Sequence, residues 1–124
     1  MKHEELAQIL FAKICTILKQ NDLKLRIMQR RGPKSGAYTM GYINFKTKVI
    51  TLDIYTAKTL KPKSINGLIR TIVHEITHWQ KPPFKQRYRG KWITRQHYPE
   101  FYQQITDNLK KIKADPILGG HFQK

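Results

Sequence analysis

The stretch from Ile65 to Trp79 has two opposite faces, and it constrains the fold more than any other part of the chain. At the roughly 100° per residue of an α-helix, its large apolar residues fall on one side, as in a helix packed on a core. His74 and His78 fall on the other side, one helical turn apart. The pattern predicts a helix that is buried on one face and presents two imidazoles from the opposite face. The apolar positions are Ile65, Leu68, Ile69, Ile72, Val73 and Ile76.

The two histidines belong to the run His74-Glu75-Ile76-Thr77-His78, an H-E-x-x-H pattern. Two histidines on one helical face can share a metal ion, and Glu75 can then reach the bound water without binding the ion itself. Imidazole suits the borderline softness of zinc. The sequence therefore predicts a Zn²⁺ site in which Glu75 acts as general base toward a water that attacks a peptide carbonyl.

A catalytic zinc site usually has three protein ligands and one water, so a third ligand is expected. The candidates are His97, Glu100, Asp107 and His121. On the wheel of the last predicted helix, His97 lies close to the inward-facing Phe101, whereas Glu100 lies off that stripe. We therefore expect His97 to be the third ligand, with Glu100 as the alternative.

Hydrophobic periodicity predicts helices over Glu4–Gln20 and Pro99–Lys113 as well, with Ser64 as the N-cap of the histidine helix. Strand-like runs cover Lys24–Gln29, Ala37–Phe45 and Val49–Tyr55. The last two runs are separated by residues 46–48, a spacing typical of a hairpin.

The segment from Lys81 to Gln96 reads as a long basic loop, because Pro82-Pro83 stops the preceding helix. Beyond about residue 115, Gly119-Gly120 predicts a tail. The 124 residues, 40% of them hydrophobic, suit a single domain over residues 1–124.

The charge is unusual, with 24 Lys and Arg against 8 Asp and Glu and a net charge of +16. Such an excess favours an anionic partner, and nucleic acid is the first candidate. Cations that follow phosphates and rings that stack on bases alternate within the basic segment, which favours single-stranded DNA. The predicted contacts are Lys85, Arg87, Tyr88, Arg89, Lys91, Trp92 and Arg95.

Three elements in order resemble the SprT-like metallopeptidases: Ile50-Thr51-Leu52, then Leu68 to Trp79, then His97-Tyr98-Pro99-Glu100-Phe101. The resemblance implies a minimal zincin-like α+β fold with an N-terminal helix, a small antiparallel sheet, an active-site helix and a C-terminal helix. It also implies that His97 is the third metal ligand. A cysteine-rich zinc ribbon, which many members carry, is excluded from this sequence by its single cysteine, Cys15. Members related to Spartan cut proteins that are crosslinked to DNA.

These observations lead to the expectation of a zinc-dependent endopeptidase acting on nucleic-acid-associated proteins. Two alternatives stay open: a nucleic-acid-binding module with a structural or vestigial zinc, and a zinc hydrolase of a phosphoanhydride. The lone cysteine and the lack of a signal-peptide or membrane-spanning pattern predict an intracellular protein, in the cytoplasm or associated with nucleoid or nucleus. We also expect a monomer that does not associate with membranes.

Overall fold

Helices and short strands alternate along the chain, which a computed structural model describes for residues 2–28, 41–55 and 61–122. The class is α+β, as the sequence predicts. The elements are α1 (His3–Leu18), β1 (Lys24–Ile27), β2 (Gly41–Asn44), β3 (Val49–Leu52), α2 (Ile65–Gln80), β4 (Phe84–Tyr88), β5 (Lys91–Arg95), α3 (Pro99–Ala114) and a 3-10 helix (Leu118–Phe122).

Helix α2 lies at the centre, in contact with α1, α3, β2 and β3. The apolar face expected from the sequence is fully buried, with Leu68, Ile69 and Ile72 each at 0% exposure. Ser64 caps the helix by accepting a hydrogen bond from the Gly67 amide at 3.1 Å, as predicted. None of the helices in the described ranges combines the length and apolar character that crossing a bilayer requires.

Strands β1, β2 and β3 form one sheet in the order β1-β3-β2. The predicted hairpin between β2 and β3 is confirmed, and its turn is held by Asn44, whose side-chain oxygen accepts from the amides of Lys46 and Thr47 at 2.9 and 3.2 Å. The strands are shorter than predicted, and residues 37–40 of the second predicted strand lie outside the described residues.

The expectation of a purely antiparallel sheet is wrong at one edge, because β1 pairs with β3 in parallel, Lys24 opposite Val49. A parallel neighbour needs a long crossover, and about a dozen residues suffice for one. Residues 28–48, which include β2, separate β1 from β3 and exceed this length. Local patterning could not show this, since the partner of a strand is chosen by tertiary packing.

The basic segment after α2 is not the loop that its sequence suggests. Strands β4 and β5 pair antiparallel from Phe84 opposite Arg95 to Tyr88 opposite Lys91. The two turn residues, Arg89 and Gly90, both have positive φ, 50° and 78°. That geometry is typical of a two-residue turn that matches the twist of the flanking strands.

The predicted tail also needs correction. The chain turns at Asp115, whose carboxylate accepts from the amides of Ile117 and Leu118 at 3.1 and 2.9 Å. Leu118 is 2% exposed and belongs to the same apolar core as α1, β3 and α2. An isolated leucine after Pro116 has no periodicity, so the sequence pattern did not reveal that this part of the chain packs on the core.

A buried polar group links α3 to α2. Asn108, at 0% exposure, donates to Thr77 Oγ1 at 3.0 Å and to Gln80 Oε1 at 2.6 Å. Its own side-chain oxygen accepts from Gln104 at 2.9 Å. Both amide protons and the carbonyl oxygen of Asn108 therefore have hydrogen-bond partners. Because these partners are available at one position only, the network fixes where α3 packs along α2.

We predict that Asn108→Ala lowers the free energy of unfolding by about 1–3 kcal/mol, because it leaves buried partners unsatisfied. Chemical denaturation would measure the loss. The matched control is Gln103→Ala, which removes an exposed hydrogen bond to Asp107 on the same helix and should change stability by less than about 0.5 kcal/mol. Equal effects of the two substitutions would contradict the proposed link.

Candidate metal centre

Three imidazoles converge at one end of the α2–α3 interface. The Nε2 atom of His78 lies 3.2 Å from that of His74 and 3.2 Å from that of His97, and the third side of this triangle is 3.4 Å. His74 and His78 project from successive turns of α2, as the sequence predicts. The third corner is His97, which lies just before α3 and 19 positions after His78 in the sequence.

Hydrogen bonding alone cannot account for this triangle. Each Nε2 of a neutral histidine either carries a proton or offers a lone pair. With three such atoms in mutual contact, at least one pair must be two donors or two acceptors. A single cation removes the conflict, because all three nitrogens can then present lone pairs to it.

The size of the triangle also fits a metal ion. Zinc lies about 2.0–2.1 Å from imidazole nitrogen in tetrahedral sites, which places two such nitrogens about 3.3–3.4 Å apart. The observed separations of 3.2, 3.2 and 3.4 Å are close to this value. The three histidines are the group of potential ligands that the described residues bring together in this way.

The ring of Phe101 supports all three histidines. Its centroid lies 5.4 Å from that of His74, 4.5 Å from that of His78 and 5.0 Å from that of His97. Phe101 is fully buried, so the imidazoles rest on a fixed apolar surface. Sequence reasoning placed Phe101 on the inner stripe of α3 but did not assign it to the site; its position four residues after His97 was the available signal.

Tyr98 holds the segment that carries His97. Its hydroxyl donates to the carbonyl of Pro82 at 3.0 Å, and its ring packs against Phe84 with centroids 4.9 Å apart. The chain leaving α2 and the chain entering α3 are therefore tied together beside the histidines.

The other candidates for a third ligand are not brought to the triangle. Glu100 is exposed in the first turn of α3, and Asp107 accepts a hydrogen bond from Gln103 farther along that helix. Neither belongs to the cluster of potential ligands. The side chain of His121 lies outside the described part of the structure.

Glu75 is buried beside the histidines, at 6% exposure. Strand β2 comes close at Gly41, where an added Cβ would lie 3.0 Å from the Thr51 carbonyl oxygen and 3.5 Å from Glu75 Cγ. Glycine therefore permits the sheet edge to approach the carboxylate, a role that the sequence did not reveal. Pockets open on both sides of this point, and Gly41 and Glu75 line both of them.

Burial sets the protonation of the site. Desolvation raises the pKa of Glu75 to about 7. Desolvation, with repulsion from His74 and His97, lowers the pKa of His78 to about 4. The pKa of His74 is lowered as well, by burial and then by His97. Near neutral pH the two α2 histidines are thus uncharged, which is the form that binds a metal.

All seven residues predicted to contact nucleic acid lie on the β4–β5 hairpin, and all are exposed. Side chains alternate between the two faces of a strand, and directly paired residues share a face. Tyr88 and its partner Lys91 therefore lie on one face of the hairpin, and Arg87 and its partner Trp92 lie on the other. Arg89 and Arg95 lie 5.2 and 6.0 Å from the centre of the Tyr88 ring. The structure therefore brings the seven onto one projecting hairpin but not onto one surface.

The fold of this chain is similar to that of a solved metallopeptidase. Among solved structures, the metallopeptidase zymogen of Pyrococcus abyssi abylysin is similar, with a TM-score of 0.51, at 18% sequence identity over 92% of this chain and 86% of that chain. At such low identity the similarity shows a shared fold. No family profile matches the chain, and no curated protein matches it in sequence. The narrower resemblance to SprT-like peptidases stays a prediction.

The raised pKa of Glu75 leads to a prediction about the metal-free protein. Its folded pKa of about 7 lies above the ordinary 4.5, so the folded state binds the extra proton between these values. The burial of Glu75 therefore lowers the free energy of unfolding of the metal-free protein little below pH 4.5, and lowers it progressively more as the pH rises to about 7. Glu75→Gln removes this cost and should stabilise the metal-free protein by about 3 kcal/mol at about pH 8, but hardly at all near about pH 4.

Denaturant unfolding in the presence of a chelator, at both pH values, would test this. Glu100→Gln is the control, because it removes an exposed carboxylate from α3 and should alter stability by less than about 0.5 kcal/mol. A stability gain for Glu75→Gln that is the same at both pH values would contradict the prediction.

Proposed function

We propose that the protein is a zinc-dependent endopeptidase in which His74, His78 and His97 hold the ion and Glu75 is the general base. The observation that carries the proposal is the triangle of Nε2 atoms, 3.2–3.4 Å on a side, with a buried carboxylate beside it. A purely structural zinc site needs no general base. The similarity in fold to a metallopeptidase supports the same assignment.

When bound, zinc would supply Lewis acidity, which activates water and polarises the peptide carbonyl. Glu75 takes a proton from the attacking water and passes it to the leaving amide nitrogen. In the metal-free protein burial raises the pKa of Glu75 to about 7, and a bound cation beside it would favour the ionised form that accepts the proton. Phe101 keeps the three imidazoles in place, and Gly41 leaves the sheet edge close enough to receive an extended chain.

The decisive experiment compares wild type with Glu75→Gln, both loaded with zinc, on a flexible basic protein. We expect the variant to keep one zinc per chain and to lose about 10²–10⁴-fold in cleavage rate, the usual contribution of general acid–base catalysis. Metal content distinguishes loss of chemistry from loss of the site. Glu100→Gln, which removes a neighbouring exposed carboxylate, should retain the wild-type rate.

Two results would contradict the peptidase assignment. Equal cleavage by wild type and Glu75→Gln would remove Glu75 from the reaction. No cleavage by the zinc-loaded wild type would favour a nucleic-acid-binding module or a phosphoanhydride hydrolase. A panel of nucleotides, assayed for released phosphate or pyrophosphate, would separate these two.

We also propose that the β4–β5 hairpin binds single-stranded DNA and so brings the peptidase to nucleic-acid-associated proteins. Trp92 and Tyr88 are 68% and 50% exposed, so each ring, on its own face of the hairpin, is accessible to a base. Base stacking on such rings contributes about 1–3 kcal/mol per base. A chain of net charge +16 repels basic proteins, and a polyanion bound by both would overcome this repulsion.

We predict that the double variant Arg87→Glu with Arg89→Glu weakens binding to single-stranded DNA and flattens its salt dependence. For two lost phosphate contacts, the slope of log affinity against log salt should fall in magnitude by about 1.4. Fluorescence anisotropy over a salt titration would measure both. The matched control, Lys110→Glu with Lys111→Glu, makes the same charge change on the exposed surface of α3. Equal losses in the two variants would rule out the hairpin as the main contact.

A further inference from the structure

A pocket of about 330 Å³ opens beside the candidate metal centre. Its walls are Gly41 from β2 and, from α2, Arg70, Thr71, His74 and Glu75. Two of these residues are the proposed base and a proposed ligand, so a group held in this pocket lies next to the reacting bond. At about 330 Å³ the pocket is large enough to receive an amino-acid side chain.

Arg70 gives the pocket its chemical character. It lies one helical turn before His74, on the same side of α2. Its Nε donates to the side-chain oxygen of Asn66 at 2.7 Å, and this bond between successive turns orients the planar guanidinium. An oriented guanidinium presents its donors in a geometry that matches a carboxylate.

The other walls that the structure describes do not favour a competing ligand. Gly41 contributes backbone, and the hydroxyl of Thr71 already donates to the Gly67 carbonyl at 2.9 Å. Among the described walls Glu75 is the acidic one, and its carboxylate is assigned to the reaction in the proposed function. Arg70 is therefore the residue that would distinguish one substrate side chain from another.

The pocket on the opposite side of Glu75 has a different lining. It measures about 310 Å³ and shares Gly41 and Glu75 with the first. Its remaining walls are mainly apolar or uncharged: Tyr42, Ile43, Phe45, Pro83 and Gln96, with His78. A chain lying across Glu75 would thus place one side chain against a cation and another against aromatic and aliphatic surface. Any charge preference should appear on one side of the scissile bond only.

We propose that the Arg70 pocket is a substrate subsite that selects an acidic side chain, aspartate or glutamate, adjacent to the scissile bond. This rests on the proposed peptidase function and adds a substrate preference to it. The selection is local, and it differs from the general attraction of a +16 chain for anions because it requires one residue. A carboxylate paired with Arg70 forms charge-assisted hydrogen bonds, which are about twice as strong as neutral ones.

The test uses short peptides with a single cleavage site, in which the residue on either side of that site is varied among Glu, Gln and Lys. For zinc-loaded wild type we expect kcat/KM to be about tenfold higher for Glu than for Gln on one side of the bond, the effect of a difference of about 1.4 kcal/mol. Arg70→Gln should abolish the preference, and Arg70→Glu should reverse it toward Lys. Lys111→Gln, which removes an exposed cation from α3, should leave the preference intact.

A preference for Glu that persists in Arg70→Gln, or that Lys111→Gln removes equally, would overturn the proposal. So would equal cleavage of the Glu, Gln and Lys peptides by wild type. A second readout is independent of turnover: affinity of the same labelled peptides for zinc-loaded Glu75→Gln, by fluorescence anisotropy. If no peptide is cleaved, the peptidase function fails. The subsite is then tested by binding alone. Tighter binding of the Glu peptide than of the Lys peptide by zinc-loaded Glu75→Gln, lost when Arg70→Gln is added, would support it, and equal binding of the two peptides would overturn it.

Discussion

The packing of α3 against α2 is the contact on which the site depends, because the two helices hold different parts of it. Phe101 lies under all three imidazoles at ring distances of 4.5–5.4 Å, while Asn108 hydrogen bonds to Thr77 two turns farther along. An apolar contact and a polar contact thus act together. The first brings the helices together without specifying their register, and the second specifies it, since a misplaced Asn108 would be buried without partners.

The buried carboxylate depends on the same arrangement. In the described part of the structure, Glu75 lines two pockets, and Gly41 at the edge of the sheet lines both of them as well. Removing a carboxylate from water disfavours its charged form. The chain accepts this cost in the metal-free state, and a bound cation nearby would offset it. Stability and chemistry are therefore opposed at Glu75, as is common where a group must exchange a proton near neutral pH.

The sequence was informative where a feature is local. The two faces of α2 and the Ser64 cap follow from residues a few positions apart, and the spacing of His97 from Phe101 predicted which histidine would reach α2. The sequence was uninformative where a feature depends on contacts between residues that are far apart in the chain. The parallel pairing of β1 and the approach of Gly41 depend on tertiary packing. The β4–β5 hairpin was missed for another reason: nearly every residue in it is exposed, so no alternation of apolar and polar residues marks it as a strand pair. Arg89-Gly90 was the remaining signal.

The hairpin has one more property. Within the described part of the chain, β4 and β5 make close backbone contacts with each other and with no other helix or strand. Its base is held by Tyr98, which donates a hydrogen bond to the Pro82 carbonyl and packs its ring against Phe84. The 19-residue separation of the second and third histidines is therefore mostly filled by a hairpin whose strands make no close backbone contact with the other described helices and strands. A change at the tip of the hairpin, around Arg89 and Gly90, would therefore leave the packing of α2 against α3 unaltered, so the tip can vary in sequence and length independently of the histidines at its base.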